Sequence, residues 1–349
     1  MYSAARAEYA NGARAARAVM TAGAARSNLV LSPERKEHRV HRIVSLLPSA
    51  TEIVCALGFE SQLIGRSHEC DFPAAVARLP ALTEPKFNPD RPSSEIDREV
   101  RRIVGEALSV YRIDAQKLRE LAPDVIVTQS QCEVCAVSER DVEDAVGSWL
   151  GARPQIVSLA PYGLADIFAD VERVARALGE PARGGELVGR LMARMDAVAA
   201  RARRAAARPT LACIEWLDPL MAAGNWMPEM VAMAGGHNLF GSAGEHSGRL
   251  EFDALRAADP DVVLIAPCGF NMRHTVTELP ALAARPGWAS MRAVREGRVF
   301  VAEGSQYFNR PGPRIAESLE ILAEILHPEL FQFGHEGAGW CRAEAPESA

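Results

Sequence analysis

The stretch Ser67-His68-Glu69-Cys70-Asp71 puts an imidazole, two carboxylates and a thiol in consecutive positions, and Cys132-Glu133-Val134-Cys135 adds a C-x-x-C pair. Thiolates and imidazoles are the donors that hold zinc and other thiophilic metals, and the C-x-x-C spacing lets both sulfurs of a tight turn face one point. His68, Cys70, Cys132 and Cys135 are therefore read as a candidate metal set, with His68 and Glu69 also available to a bound ligand. No second C-x-x-C completes the usual zinc pattern, so metal ligation, redox thiol chemistry and inert loop cysteines stay open as readings of the pair. Glu133, between the two thiols, would oppose the lowered pKa that makes a cysteine reactive. Cys55 on an apolar helix face and Cys213 within a strand read as small hydrophobes. His237 reads as a turn residue, and His246 and His274 carry no assignment.

Other chemistries find no foothold. The chain has no dinucleotide or Walker glycine loop, no Gly-x-Ser-x-Gly elbow and no His-Glu-x-x-His. Its acidic pairs lie in no setting that marks a general acid and base, so no catalytic residue is assigned and an enzyme is not expected. At 349 residues and net charge −6 the chain can bury two cores and carries no basic footprint for nucleic acid. No apolar run approaches the roughly 18 residues of a membrane span. The seven cysteines are odd in number and irregular in spacing, which fits a reducing compartment. Residues 1–39 hold seven Lys/Arg and three Glu with no apolar core of the secretory kind. They are expected to be a disordered extension, and the protein is expected to be cytoplasmic.

The elements that must position these groups are legible in the rest of the chain. Residues 43–47, 63–65, 125–128, 156–159, 211–216, 261–266 and 299–301 read as buried strands of an α/β fold. In such sheets ligands sit beyond the carboxyl ends of the strands. That edge receives His68 to Asp71, Cys132, Glu133 and Cys135 in one half, and Trp216 and Cys268 in the other. Ser49-Ala50-Thr51-Glu52 reads as a capping box that starts a helix ending at Gly58. Residues 86–114 read as an insertion, with Ser94 and Asp114 as helix caps.

Residues 182–206 form an Ala- and Arg-rich stretch with an apolar stripe of Leu187, Val188, Leu191, Met192, Met195 and Val198, a helix of roughly 36 Å. The segments flanking it match each other. Residues 118–127 and 255–264 both read as a short helix, a Pro-Asp turn and a strand. Glu52 stands before Gly58 as Glu229 stands before Gly235. Two half-chains joined by one long helix imply two similar lobes and a strut. The expected organisation is an extension over 1–39, an N-terminal lobe over 40–160, linking helices over 161–207, a C-terminal lobe over 208–328 and a polar tail over 329–349.

The run 43–52 (IVSLLPSATE), Asp71-Phe72-Pro73, the two Pro-Asp strands, the Ala-Gly-Gly-x-Asn of 234–238 and the run 307–314 (YFNRPGPR) together resemble the helical-backbone class of substrate-binding proteins that serve ABC importers of vitamin B12 and iron chelates. The resemblance covers about residues 40–328. It implies two Rossmann-like lobes with a ligand cleft between them, and a corrinoid or related metal complex as ligand. It also implies that Trp216, Trp226, Tyr307 and Phe308 lie in loops turned toward that ligand, and that Arg310 faces it. Flat aromatic faces suit a large planar ligand. Arg314 is expected to cap or pack. Members of this class dock on a permease through one surface Glu per lobe; those positions hold Gln116 and Asp253 here, so docking on an ABC permease is doubtful. The competing reading is a cysteine- and histidine-liganded metalloprotein, holding zinc or acting on a metal complex.

Overall fold

The structure, a computed structural model, describes residues 40–106, 109–131, 138–147 and 153–343. Its first lobe runs β1 (Ile43–Ser45), α1 (Pro48–Ala56), β2 (Leu63–Arg66), β3 (Thr83–Pro85), α2 (Ser93–Gly105), β4 (Tyr111–Ile113), α3 (Ala115–Leu121), β5 (Val125–Gln129), α4 (Glu139–Val146) and β6 (Gln155–Leu159). Strands pair in the order β2-β1-β5-β6, all parallel, while β3 and β4 form a separate antiparallel pair. β1 and β5 are buried along their whole length, as apolar runs in a parallel sheet covered on both faces should be.

Two helices follow, α5 (Leu164–Ala177) and the long α6 (Pro181–Ala202), which buries Leu187, Val188, Leu191, Met195 and Val198. The second lobe runs β7 (Thr210–Trp216), β8 (Met221–Ala222), α7 (Met227–Met233), β9 (His237–Asn238), β10 (Gly248–Arg249), α8 (Phe252–Ala258), β11 (Val262–Ile265), α9 (Met272–Ala283), α10 (Arg292–Arg295), β12 (Val299–Ala302), α11 (Ile315–Leu326) and β13 (Trp340–Arg342). Its sheet has the order β10-β8-β7-β11-β12-β13, with β9 beside β7 and a parallel centre of β7, β11 and β12. Each lobe has its own apolar core, one around Val44, Ile126 and Leu118, the other around Ile214, Val263 and Leu255.

The internal repeat is present in detail. α3 and α8 both end on a left-handed residue, Ala122 at φ 39° and Asp259 at φ 41°, and the Pro-Asp step then enters β5 and β11. In both lobes the Asp of that step accepts a backbone N–H from the strand next door: Arg42 N to Asp124 Oδ2 at 3.0 Å, and Thr210 N to Asp261 Oδ2 at 2.8 Å. Gly58 and Gly235 end the matching helices at φ 85° and 83°, a conformation that side chains avoid.

Three local expectations are corrected. α1 begins at Pro48 with Leu47 as its cap, because proline presets the first helical φ, and the Ser49–Glu52 capping box does not form. α2 begins at Ser93, one residue before the expected cap Ser94. The segment after residue 328 is not simply a polar tail: β13 pairs with β12, Phe331 and Trp340 are buried, and Glu324 of α11 accepts from Gly334 N at 2.6 Å and Trp340 Nε1 at 2.9 Å. Asp114 caps α3 as expected, accepting from Lys117 N at 2.9 Å.

Candidate functional site

The parallel strands of both sheets run toward loops that meet. Asp71, beyond β2, receives Arg310 Nη1 at 2.6 Å from the loop beyond β12, and Gln131, beyond β5, donates to Asn225 at 3.4 Å. The strongest link is ionic and buried. Glu52 of α1 takes Arg314 through Nη2 at 2.6 Å and Nε at 3.0 Å, and Arg310 Nη1 at 3.0 Å. Glu52, Arg310 and Arg314 are 3, 5 and 8% exposed, so the two cations meet Glu52 out of water, while Asp71, whose side chain is 51% exposed, reaches Arg310 from the solvent side. Burial works against the charge on Arg310, but Asp71 and Glu52 hold its guanidinium firmly protonated. Arg314 also lies over the rings of Phe72 at 4.2 Å and Tyr307 at 5.1 Å.

Around this link sit the groups beyond β2. His68 lies against Tyr111 at 5.7 Å between ring centroids, and Tyr111 against Phe87 at 6.2 Å. His68 Nδ1 is 2.8 Å from Thr83 Oγ1, which also accepts the His68 backbone N–H at 3.1 Å and donates on to Ser67 Oγ at 3.0 Å. Burial and then Arg66 hold His68 below the usual imidazole range. Burial pushes the Glu69 carboxyl up to about 7, with Arg310 opposing and Asp71 adding to the shift. Burial, then Glu69 and Cys268, raise the Tyr111 phenol well above its usual value, so groups from both lobes bear on one point.

On the opposite side, Trp216 at the end of β7 packs on Phe270 at 5.1 Å, and Phe270 stacks on His274 at 3.7 Å. Cys268, two residues before Phe270, is a free thiol that burial, Glu215 and Glu69 keep protonated. Tyr307 is half-buried in the turn after β12. Trp226 departs from its expected place: it is 5% exposed and its indole Nε1 donates to the Phe308 carbonyl at 3.2 Å, so it braces that turn and offers no free face. Phe308 is buried as well.

The shared metal site is not found. Cys70 is 2% exposed, Thr51 Oγ1 donates to its sulfur at 3.0 Å, and burial pushes its thiol up to about 11, so it is a neutral core thiol. Cys132, Glu133 and Cys135 lie outside the described residues. Among the described residues no group of three or more His, Cys, Asp or Glu could hold a metal ion, and zinc has no site there.

Sequence reasoning missed Glu52, Tyr111 and Phe72, and gave Arg314 only a packing role. One signal for Glu52 was available: a carboxylate among apolar residues of α1, at the offset from Gly58 that Glu229 keeps from Gly235. Glu229 is put to use too, accepting from Leu164 N at 2.9 Å. At the expected docking positions, exposed Gln116 donates to Glu120 at 3.0 Å, and Asp253 is 87% exposed and pairs with Arg256.

Comparison with known proteins agrees with this geometry. A family model described as Periplasmic binding protein matches residues 43–305. An uncharacterized ABC transporter substrate-binding lipoprotein of Bacillus subtilis is 21% identical over 299 residues, 83% of this chain and 81% of its own length. A vitamin B12-binding protein of Vibrio vulnificus is 21% identical over 314 residues, 85% of this chain and 93% of its own. A periplasmic heme-binding protein from Pseudomonas aeruginosa has the same fold, with TM-score 0.64, 21% identity and coverage of 88% of this chain and 99% of its own. These findings overturn the cytoplasmic location: the family is periplasmic by description, and the relatives include a lipoprotein and a periplasmic protein. The expectation rested on an absent apolar run and an odd cysteine count, and neither observation carries that conclusion.

Proposed function

Because the chain belongs to the periplasmic binding protein family, whose members bind substrates for ABC transporters and are not enzymes, we propose that it holds a planar metal complex of corrinoid type between its lobes. The observation that carries this reading is the pair of aromatic groups on the two carboxyl edges. Half-buried His68 and Phe87, backed by buried Tyr111, form one, and half-buried Trp216 and His274, backed by buried Phe270, form the other. Rigid aromatic faces bury a large flat ligand at little entropic cost. Glu69 supplies a hydrogen-bonding group beside it, suited to peripheral amides, whereas Arg310, expected to face the ligand, is buried and taken up by Glu52 and Asp71 and so fixes the loop that carries Tyr307. Trp216 and Tyr307 complete the contact surface, while Trp226 supports it from behind. The vitamin B12-binding relative supports a corrinoid, and the heme-binding fold neighbour is consistent with the same planar shape.

Titration with cobalamin, cobinamide and hemin tests the reading. Burial of most of such a ligand should give micromolar affinity or better, on the order of −8 kcal/mol. Trp216 fluorescence should be quenched, and a hundredfold excess over Kd should stabilise the fold by about 2.7 kcal/mol. No quenching and no change in melting temperature with any of the three at about 100 micromolar, where a micromolar binder would be saturated, means that the reading is wrong.

A further inference from the structure

We infer that the first lobe carries a second binding site, between α2 and the β3–β4 hairpin, for a small anion with two or more phosphate or carboxylate groups. A pocket of about 840 Å³ lies there, within the roughly 300–1,000 Å³ of small-molecule sites. Five cations line it: Lys86, Arg91, Arg98, Arg102 and Arg112. None of the lining comes from the second lobe, and Phe87 is the one residue it shares with the aromatic groups of the cleft. Local structure explains why the charges converge. In β4, Tyr111 is buried, and the next residue, Arg112, turns to the opposite side and is 67% exposed. α2 buries Ile96 and Ile103, while Glu95, Arg98 and Arg102 recur at helical spacing along another side. Lys86 Nζ donates to the Ser109 carbonyl at 2.7 Å, which ties the two arms of the hairpin together beside the pocket.

In a chain of net charge −6, this lining sets five cations against two carboxylates, Glu95 and Glu99. The excess persists, five against four, when Glu84 and Glu106, the partners of Arg112 and Arg102, are counted. Arg98 and Arg102 stand four residues apart, a like-charge spacing that weakens a helix and that a bound anion would relieve. Arg98 makes no hydrogen bond or ion pair among the described residues. Arg91, Arg102 and Arg112 meet Glu95, Glu106 and Glu84 through Nη1, at 3.3, 3.2 and 3.0 Å, so the rest of each planar fork stays open to an incoming oxyanion. Such forks match the oxygens of phosphate and carboxylate two at a time. A single anionic group reaches only part of a lining that spans β4 and successive turns of α2, so the ligand that fits carries several.

Calorimetric titration with tripolyphosphate and citrate tests the site. Wild type should bind at least one of them with a Kd of about 1 millimolar or tighter. Binding should weaken as salt is raised, since exposed charges are screened. Arg98→Gln and Arg102→Gln should each weaken it roughly tenfold. Arg101→Gln removes the same charge from the same helix, but Arg101 is outside the lining and pairs with Asp97 at 2.9 Å, so this variant should bind as wild type does. The three side chains are exposed, and unchanged thermal melts should show that the variants fold. Cobinamide affinity should be the same with and without saturating tripolyphosphate. No binding of either anion at about 10 millimolar overturns the site. So does equal weakening in Arg98→Gln and Arg101→Gln, which would mean diffuse charge only, or displacement of the anion by cobinamide, which would make the pocket part of the cleft. Binding to phosphatidylglycerol vesicles without binding to either soluble anion would overturn it too, in favour of a headgroup-binding surface. Absence of any cleft ligand bears on the cleft reading alone, because the anion titrations do not depend on one.

Discussion

Glu52 shows how much of this molecule depends on a single side chain. Its carboxylate is met by Arg310 and Arg314, which lie 258 and 262 residues further along the chain, and all three are buried. Removing one partner of such a group leaves the others charged and unpaired out of water. Glu52→Gln should therefore cost about 3–5 kcal/mol in urea unfolding at pH 7. Glu52→Gln combined with Arg314→Leu should cost less than the sum of the two single changes. Glu320 offers a separate test through pH. Burial raises its pKa, but hydrogen bonds from Arg194 at 2.6 and 2.7 Å and from His335 at 2.9 Å hold it below the ordinary value of 4.5. A depressed folded pKa means stability that is fully present above 4.5 and is lost as pH falls through the lower folded value. Thermal melts from pH 7 to pH 3 should fall more steeply for wild type than for Glu320→Gln. Parallel curves would remove Glu320 from the account.

At the scale of elements, the long helix α6 is held by close packing at its start and by charge at its middle. Gly184 faces α5 so closely that a Cβ there would lie 2.7 Å from Ala175 Cβ and 3.2 Å from Glu172 Cα, whereas Gly185 and Gly189 face open space. The three glycines look alike in sequence, each a weak residue in a helix. They should behave differently. Gly185→Ala and Gly189→Ala should each stabilise by up to about 1 kcal/mol, the intrinsic helix preference. Gly184→Ala should destabilise by about 1–3 kcal/mol, because the helices must move apart. Urea midpoints of the three variants decide this. Further along, Arg194 reaches Glu317 and Glu320 of α11, which ties the strut to the second lobe.

For the whole molecule, the lobes touch at points other than the buried ionic link. Ser93, at the start of α2 in the first lobe, gives its N–H and hydroxyl to Glu278 of α9 in the second, at 3.0 and 2.5 Å. A carboxylate from one lobe thus caps a helix of the other. Glu278→Ala should raise hydrogen exchange over the first turn of α2 and lower overall stability by only about 1 kcal/mol, the worth of one cap. Unchanged exchange there would show that the contact does not order the helix. Family membership enters at this scale too, since the match over 43–305 spans both lobes and the strut between them.

The architecture was legible in the residues because its signals are local. Continuous apolar runs marked β1, β5 and β11, the apolar stripe of residues 187–198 marked α6, and two Pro-Asp turns at matching positions exposed the duplication. The position of His68, Glu69 and Cys70 at a strand end followed from the same signals. Where each side chain points did not. Residues 67–70 form a turn beyond β2, closed by Cys70 N donating to the Ser67 carbonyl, so strand alternation does not apply there: Cys70 faces Thr51 in the core while His68, two residues earlier, faces Thr83 and Tyr111. The indole of Trp226 was equally ambiguous until the turn after β12 claimed its N–H. The chain by itself determined two similar α/β lobes, a strut and the edge where a ligand would sit, since period, turn chemistry and helix formers act over a few residues. Only the tertiary structure decided that Glu52 meets Arg310 and Arg314, because nothing in either local sequence specifies a partner more than 250 residues away, and burial alone makes that pairing obligatory.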